Sequence, residues 1–215
     1  CLEVLAEARN PTALITKSAL VARDADLLAD LASHGAACVT FSITSLDPEL
    51  AGILEPRASR PARRLQALRA LSAAGVPTGV LIAPVIPGLN DHEIPAILAA
   101  AAQAGATRAG WILLRLPGAV EPLFQEWLAS HLPSKRAKVL DRLRATRGGK
   151  LHETQFGERM RGKGPYAQQL EQLFELARRR ARIPSEGEVR PLSSAAFRKP
   201  TRDGTRQLPL FGECT

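Results

Sequence analysis

Lys17 follows Ala13, Leu14, Ile15 and Thr16, so it stands where a short buried strand is expected to end. A lysine there can hold a carboxylate or phosphate as a compact charge, or form a Schiff base if it is desolvated. It could equally be a solvated strand-end lysine. Ser42 and Thr44 alternate with Phe41 and Ile43 within residues 37–44. That spacing puts both hydroxyls on one face of a strand, where they could bind a polar ligand or form an ordinary polar face. Glu55 and Arg57 flank Pro56 and could bracket a carboxylate or an amine, or be surface charges. Arg115 interrupts the apolar stretch 109–116. Arginine is rarely buried without a partner, so it is expected at the open end of a sheet, with a binding role or an internal ion pair. His34, His92, His131 and His152 form no ligand cluster, and His34 and His131 close helices, where a cation suits the dipole. There is no phosphate-loop, dinucleotide or serine-hydrolase motif.

A second concentration of polar chemistry lies at 147–165, a basic, glycine-rich segment carrying Arg147, Lys150, Arg159, Arg161 and Lys163. Its side chains and glycine amides could grip phosphates, and Phe156 and Tyr166 could stack on bases. A solvated connector is the alternative.

These residues need elements to position them. The central stretch is GVLIAPVIPGLND, residues 79–91. The run Val80-Leu81-Ile82-Ala83, bounded by Gly79 and Pro84, reads as a strand buried on both faces. Pro84, Pro87 and Gly88 then break the chain, and Asn90 with Glu93 is expected to cap the next helix as a partial capping box. In parallel α/β folds the loop at a strand's carboxyl end is where ligands bind. Strands are expected at 13–16, 37–44, 80–83 and 109–116, with helices at 23–34, 61–74 and 91–104 closed by Gly35, Gly75 and Gly105. Asp47-Pro48 opens a further short helix. Strands alternating with helices predict right-handed βαβ units, hence a parallel sheet, as a complete or partial (β/α) barrel or a doubly wound sheet. Helices at 121–131, 134–146 and 166–182 follow. From 184 on, proline, serine, glycine and charge prevail, the composition of a disordered tail. The expected organisation is therefore α/β: a partial barrel in 1–118, a helical extension in 119–183 and a tail in 184–215.

The composition is that of a globular protein, 45% hydrophobic with only 4% aromatic residues, so the core must be mostly aliphatic. A formal net charge of +8 permits anionic partners. No apolar run approaches the roughly 20 residues that span a bilayer, and no signal peptide is visible. Cys1, Cys38 and Cys214 are odd in number and lack metal-ligand spacing, which favours a cytoplasmic setting without disulfides. The sequence opens at Cys1 in what reads as the last turns of a helix, so it is expected to be a piece of a longer protein.

Taken together, Ile15-Thr16-Lys17-Ser18, Phe41-Ser42-Ile43-Thr44-Ser45-Leu46-Asp47, Leu54-Glu55-Pro56-Arg57 and Ala83-Pro84-Val85-Ile86-Pro87-Gly88-Leu89-Asn90-Asp91 resemble the later barrel strands of radical S-adenosylmethionine proteins. The nearest likeness is to the DNA-repair-photolyase-like group, akin to spore photoproduct lyase. It runs over roughly residues 1–183, including the glycine-rich segments near Arg147 and Arg161. The resemblance implies the later strands of a (β/α)6 barrel, S-adenosylmethionine and a [4Fe–4S] cluster as cofactors, and a 5′-deoxyadenosyl radical that takes hydrogen from substrate. It would put Lys17 near the cofactor's carboxylate, Ser42 on the following strand, Thr44 near the ribose, and the backbone of Ala83, Pro84, Val85 and Pro87 near the adenine, with Arg115 as a further binding residue.

The C-x3-C-x2-C loop that holds the cluster in that family is absent from this sequence. The expectation is a C-terminal portion, inactive by itself. Gln207, Leu208, Leu210 and Phe211 also resemble the short Gln-Leu-x-Leu-Phe peptides that dock on the bacterial DNA sliding clamp; the alternative is a tail that packs on its own domain. Three functions stay open: part of a radical enzyme whose substrate could be nucleic acid, a basic module that binds nucleic acid or the clamp without catalysis, and an aldolase-like barrel with Lys17 as its Schiff base.

Overall fold

A computed structural model of the protein describes residues 1–151 and 158–199. The apolar runs become β1 (Thr12–Thr16), β2 (Ala37–Ser42), β3 (Thr78–Val85) and β4 (Arg108–Leu113). All neighbours pair in parallel, in the chain order β1-β2-β3-β4. Each strand returns through helix, as parallel pairing requires. The sheet is not closed: among the described residues β1 and β4 each have one neighbour. This is the expected α/β partial barrel.

Helix α1 (Leu2–Glu7) precedes the sheet; α2 (Ala25–Ser33), α3 (Pro48–Leu54), α4 (Pro61–Ala73) and α5 (Ile94–Gln103) connect its strands. Helices α6 (Val120–His131), α7 (Pro133–Ala145), α8 (Glu158–Arg161) and α9 (Pro165–Arg180) follow β4. The expected punctuation is in place. Asp47 caps α3 by accepting from the N–H groups of Glu49 and Leu50 at 2.8 and 3.3 Å. Gly105 ends α5 at φ +100°, and a Cβ there would lie 2.2 Å from Ser72 Oγ, so any side chain would force that helix contact apart.

Alternation along the strands divides the sheet into two unlike faces. Val39, Phe41, Val80, Ile82, Trp111 and Leu113 point to the helices and join Leu68, Leu71, Ile97 and Leu98 in the main core. Helix α9 packs on α5 and sends Leu170, Phe174 and Ala177 into the same core, with the Phe174 ring 6.3 Å from that of Trp111. A second core unites Leu50, Ile86, Leu89 and Leu116 with Leu128 of α6 and Val139, Leu140 and Leu143 of α7. Helix α9 thus shares the sheet's core, while α6 and α7 pack on α3 and on the loops that follow β3 and β4. The other sheet face, with Ile15, Thr40, Leu81, Gly110 and Ile112, is only partly covered, and Ile15 is 66% exposed.

Three strand bounds differ from expectation. Strand β2 ends at Ser42, so Thr44 lies beyond it; β4 ends at Leu113, so Arg115 does too. Strand β3 is longer than its apolar run, because Thr78, Gly79, Pro84 and Val85 complete it. Residues 184–199, part of the stretch expected as a tail, run along the amino-end side of the sheet. Arg108 donates to the Arg190 carbonyl at 2.9 Å, Ser193 N–H to Gly35 at 2.9 Å, and Arg198 N–H to Ala8 at 2.8 Å. No helix among the described residues is long and apolar enough to cross a membrane.

Candidate functional site

The carboxyl end of the sheet is shaped by the loop from β3 to α5, and Asn90 does not cap the helix as expected. Its fully buried side chain accepts from Ile86 N–H at 2.6 Å and donates to the carbonyls of Thr44 at 2.7 Å and Pro84 at 3.0 Å. Glu93 likewise leaves the capping box. Its carboxylate accepts from Ser45 Oγ at 2.6 Å and Leu46 N–H at 2.7 Å. The reason is that the chain leaves the sheet at both places. Buried backbone groups stranded there need partners, and an amide, which both donates and accepts, can serve N–H and C=O groups together.

Beside this loop Glu55 collects three donors. Lys17 Nζ lies 2.6 Å from Oε1, Arg64 Nη2 lies 2.5 Å from Oε2, and Thr44 Oγ1 lies 2.5 Å from Oε1. The Thr44 hydroxyl is also 2.9 Å from the Ala83 carbonyl; its one proton serves one acceptor at a time. Ser42 Oγ donates to that same carbonyl at 3.1 Å. Arg64, with a side chain 2% exposed, spends its other nitrogens on the carbonyls of Ser59 and Ser42 at 2.6 and 2.7 Å. Burial pushes the Glu55 carboxyl up, but the hydrogen bonds from Lys17, Thr44 and Arg64, with the Lys17 charge, hold it below the usual carboxylate range. Lys17 therefore presents an ammonium on a fixed tether while staying 42% exposed.

Next to this network lies a cavity of about 530 Å³ at the carboxyl end of the open sheet face. It brings together Lys17, Ser42, Ala83, Pro84 and Arg115, with Ile15, Ile112 and Leu114 as apolar wall. Arg115 Nε is buried and has no hydrogen-bond partner among the described residues. Thr44, Val85 and Pro87 do not line the cavity. Thr44 is 1% exposed and engaged with Glu55, Val85 belongs to the main core, and Pro87 is buried in the loop. Two cations, a hydroxyl and apolar walls suit a ligand with an anionic end and a flat apolar body.

Arg64 is the site residue that the sequence reading missed. Its signal was there: Arg64, Leu68 and Leu71 fall on one helical stripe, so an arginine stood on the buried face of α4.

The structure divides the residues of the basic segment: Lys150, Arg161 and Lys163 are exposed, and Arg147 is buried. Arg147 is 2% exposed and donates to the carbonyls of Leu114 at 2.6 Å and Arg159 at 3.2 Å, so it clamps the loop after β4. The Arg161 guanidinium lies 4.8 Å from the centre of the Trp111 ring. Lys150 is exposed, and the Lys163 side chain runs beside Gly148. Tyr166, expected to stack on bases, donates to the Asp91 carboxylate under the Arg142 guanidinium. Phe156 and the cluster Gln207, Leu208, Leu210 and Phe211 lie outside the described residues. Cys1 is exposed and Cys38 buried, both free. Among the described residues no three His, Cys, Asp or Glu side chains gather as a metal would need.

Residues 2–101 match the family described as the Radical SAM superfamily. Uncharacterized proteins of Mycobacterium bovis and Mycobacterium tuberculosis are each 35% identical over 131 residues, 60% of this chain and 38% of theirs. An uncharacterized protein of Acidianus two-tailed virus is 39% identical over 78 residues, 36% of this chain and 25% of its own. The chain thus spans 38% of the length of the mycobacterial relatives. A solved spore photoproduct lyase variant, with bound AdoMet and dinucleoside spore photoproduct, matches with TM-score 0.48 and 21% identity over 79% of this chain and 46% of that one.

Proposed function

We propose that this chain, whose residues 2–101 match the Radical SAM superfamily, belongs to that superfamily, and that its carboxyl-end cavity binds S-adenosylmethionine for a radical enzyme. The observation that carries this reading is the convergence of Lys17, Ser42, Ala83, Pro84 and Arg115 on one cavity, with the buried Arg115 Nε lacking a partner. The residues fit the cofactor. Lys17, tethered by Glu55, and Arg115 would hold its carboxylate; Ser42, whose proton goes to Ala83, keeps lone pairs for a ligand donor; Ile15, Ile112 and Leu114 would cover its apolar body and exclude water. In radical enzymes the bound cofactor supplies a 5′-deoxyadenosyl radical for hydrogen abstraction.

The [4Fe–4S] cluster does not fit these residues. The sequence has no C-x3-C-x2-C, and Cys38 is 6% exposed within β2. No step is derived through it, and this chain by itself is proposed to be inactive. The whole protein's activity is part of the proposal, as is nucleic acid for its substrate. The Schiff-base reading loses ground, because Lys17 is exposed and ion-paired where such chemistry needs a desolvated lysine.

The test is saturation-transfer NMR of S-adenosylmethionine at millimolar concentration with this chain. Transfer to adenine and methionine protons is expected, weakened severalfold by Arg115→Gln and unchanged by Arg69→Gln on the exposed side of α4. Absence of transfer, or equal transfer in the Arg115 variant, overturns the site.

A further inference from the structure

We infer that helix α7 is a phosphate-binding track that lays a single nucleic-acid strand beside the mouth of the cofactor cavity. The inference rests on the proposed function for its orientation, but the binding it asserts needs neither cofactor nor cluster.

Helix α7 carries five cations, Lys135, Arg136, Lys138, Arg142 and Arg144, against one carboxylate, Asp141. Arg144 holds that carboxylate at 3.0 Å. Val139, Leu140 and Leu143 pin the helix to the second core, and the stripe of cations flanks that buried face on the Val139 side. Lys135, Lys138 and Arg142 are spaced i, i+3, i+7 and so form one stripe. Lys135 and Lys138 are exposed, and among the described residues no carboxylate pairs with either. A charge stripe on a helix is ordinarily just a solvated face. Here the stripe borders a built concavity instead.

That concavity, about 470 Å³, is lined by Lys138, Arg142, His92, Tyr166 and Asp91 on its polar side and by Leu170 and Leu173 on its apolar side. The Asp91 carboxylate is already occupied: it accepts from Gly88 N–H at 2.9 Å, from His92 N–H at 3.1 Å, and from the Tyr166 hydroxyl. Those bonds hold the tyrosine ring flat beneath Arg142, whose guanidinium carbon is 4.6 Å from its centre. Among the described residues no carboxylate forms an ion pair with Lys138 or Arg142. A row of cations ending at a hollow of mixed polar and apolar lining matches successive phosphates and a base of a strand better than a single small anion.

Position gives the track its meaning. A Cβ on Gly88 would lie 2.9 Å from Arg142 Cδ and 3.4 Å from Lys138 Cγ, so the stripe touches the β3–α5 loop directly. Four residues earlier, at the end of β3, Pro84 lines the cofactor cavity. A strand held on α7 would therefore pass the loop that follows the cavity-lining end of β3. Of the basic residues of segment 147–165, Arg147 is buried and engaged, whereas Lys135 and Lys138 of α7 are exposed.

The experiment is fluorescence anisotropy of a labelled single-stranded oligonucleotide with the full chain over a series of salt concentrations. The double variant Lys135→Gln/Lys138→Gln is expected to bind more than tenfold more weakly at low salt. Its slope of log K against log salt should fall by about 1.4, two single-strand phosphate contacts of about 0.7 each. Arg179→Gln/Arg180→Gln, exposed at the far end of α9, should stay within twofold of the parent. Equal losses in both doubles, no binding by the parent chain, or stripe-dependent binding to phosphatidylserine vesicles with none to the oligonucleotide would each overturn the inference. If the oligonucleotide binds as expected while S-adenosylmethionine shows no contact, the cofactor reading alone falls. If the cofactor binds and the oligonucleotide does not, the track alone falls.

Discussion

Glu55 illustrates how a single carboxylate can organise a site it does not line. Its side chain is 8% exposed, so ionising it costs desolvation, and it stays charged only because Lys17, Thr44 and Arg64 converge on it. The folded-state carboxyl sits below its unfolded value. Its ionised form therefore stabilises the fold fully above the ordinary carboxylate range, about pH 4.3, and that contribution is lost as pH falls through the folded value. Urea midpoints of the parent and Glu55→Gln, measured from neutral to acidic pH, should differ most at neutral pH. The gap should shrink below about pH 4; a gap that ignores pH would mean the network contributes no such stability. Lys17 and Glu55 were both singled out by residue type and neighbours. Their pairing was not, because nothing in the local pattern says that a strand end and a later loop meet.

At the scale of elements, the β3–α5 loop is held by one amide rather than by its prolines. Asn90 bridges its own loop and the chain leaving β2, with a bond across 46 residues of sequence to Thr44. Removing it leaves the Ile86 N–H and the Thr44 and Pro84 carbonyls without that partner. An orphaned buried group costs about 1–3 kcal/mol, so Asn90→Ala should lower unfolding free energy by on the order of 3 kcal/mol. Equilibrium urea denaturation gives the value, and a loss below a few tenths would show that the loop closes without the amide. The neighbouring cap at Asp47 was legible because N-capping is a matter of adjacent residues. Asn90 carries the same cap signature and uses its side chain elsewhere: Ile86 N–H takes the oxygen that a cap would offer to the helix's own N–H groups, and the amide nitrogen serves the carbonyls of Thr44 and Pro84.

The molecule as a whole is an open sheet with one face clothed by helices and the other half bare. Strand β1 has a single neighbour among the described residues, and its Ala13 and Ile15 are exposed. Unpaired N–H and C=O groups beside apolar side chains invite another strand. Light scattering should report mass that rises with concentration for the parent chain, and Ala13→Lys, a charge on the edge strand, should hold it at the monomer. A parent chain that stays monomeric across the range would mean that the edge is protected. Residues 184–199 bond to the amino-end side of the sheet through Arg190, Ser193 and Arg198, and Val189 and Pro191 border a cavity over the open face beside Ile15, Thr40 and Leu81.

The sequence by itself determined the parts that depend on near neighbours. Apolar runs and glycine stops placed four strands and their helices within a few residues, and alternation along β2 set which side chains face the helices. The βα rhythm then left parallel pairing as the consistent topology. Only tertiary structure decided which polar groups meet. Arg64 turns inward because a buried carboxylate awaits it, and Arg147 is buried because carbonyls of Leu114 and Arg159 need a donor. Periodicity encodes which face is apolar; it does not encode which distant backbone group is left unsatisfied. In this fold that unmet demand, summed over loops far apart in the chain, sets the site.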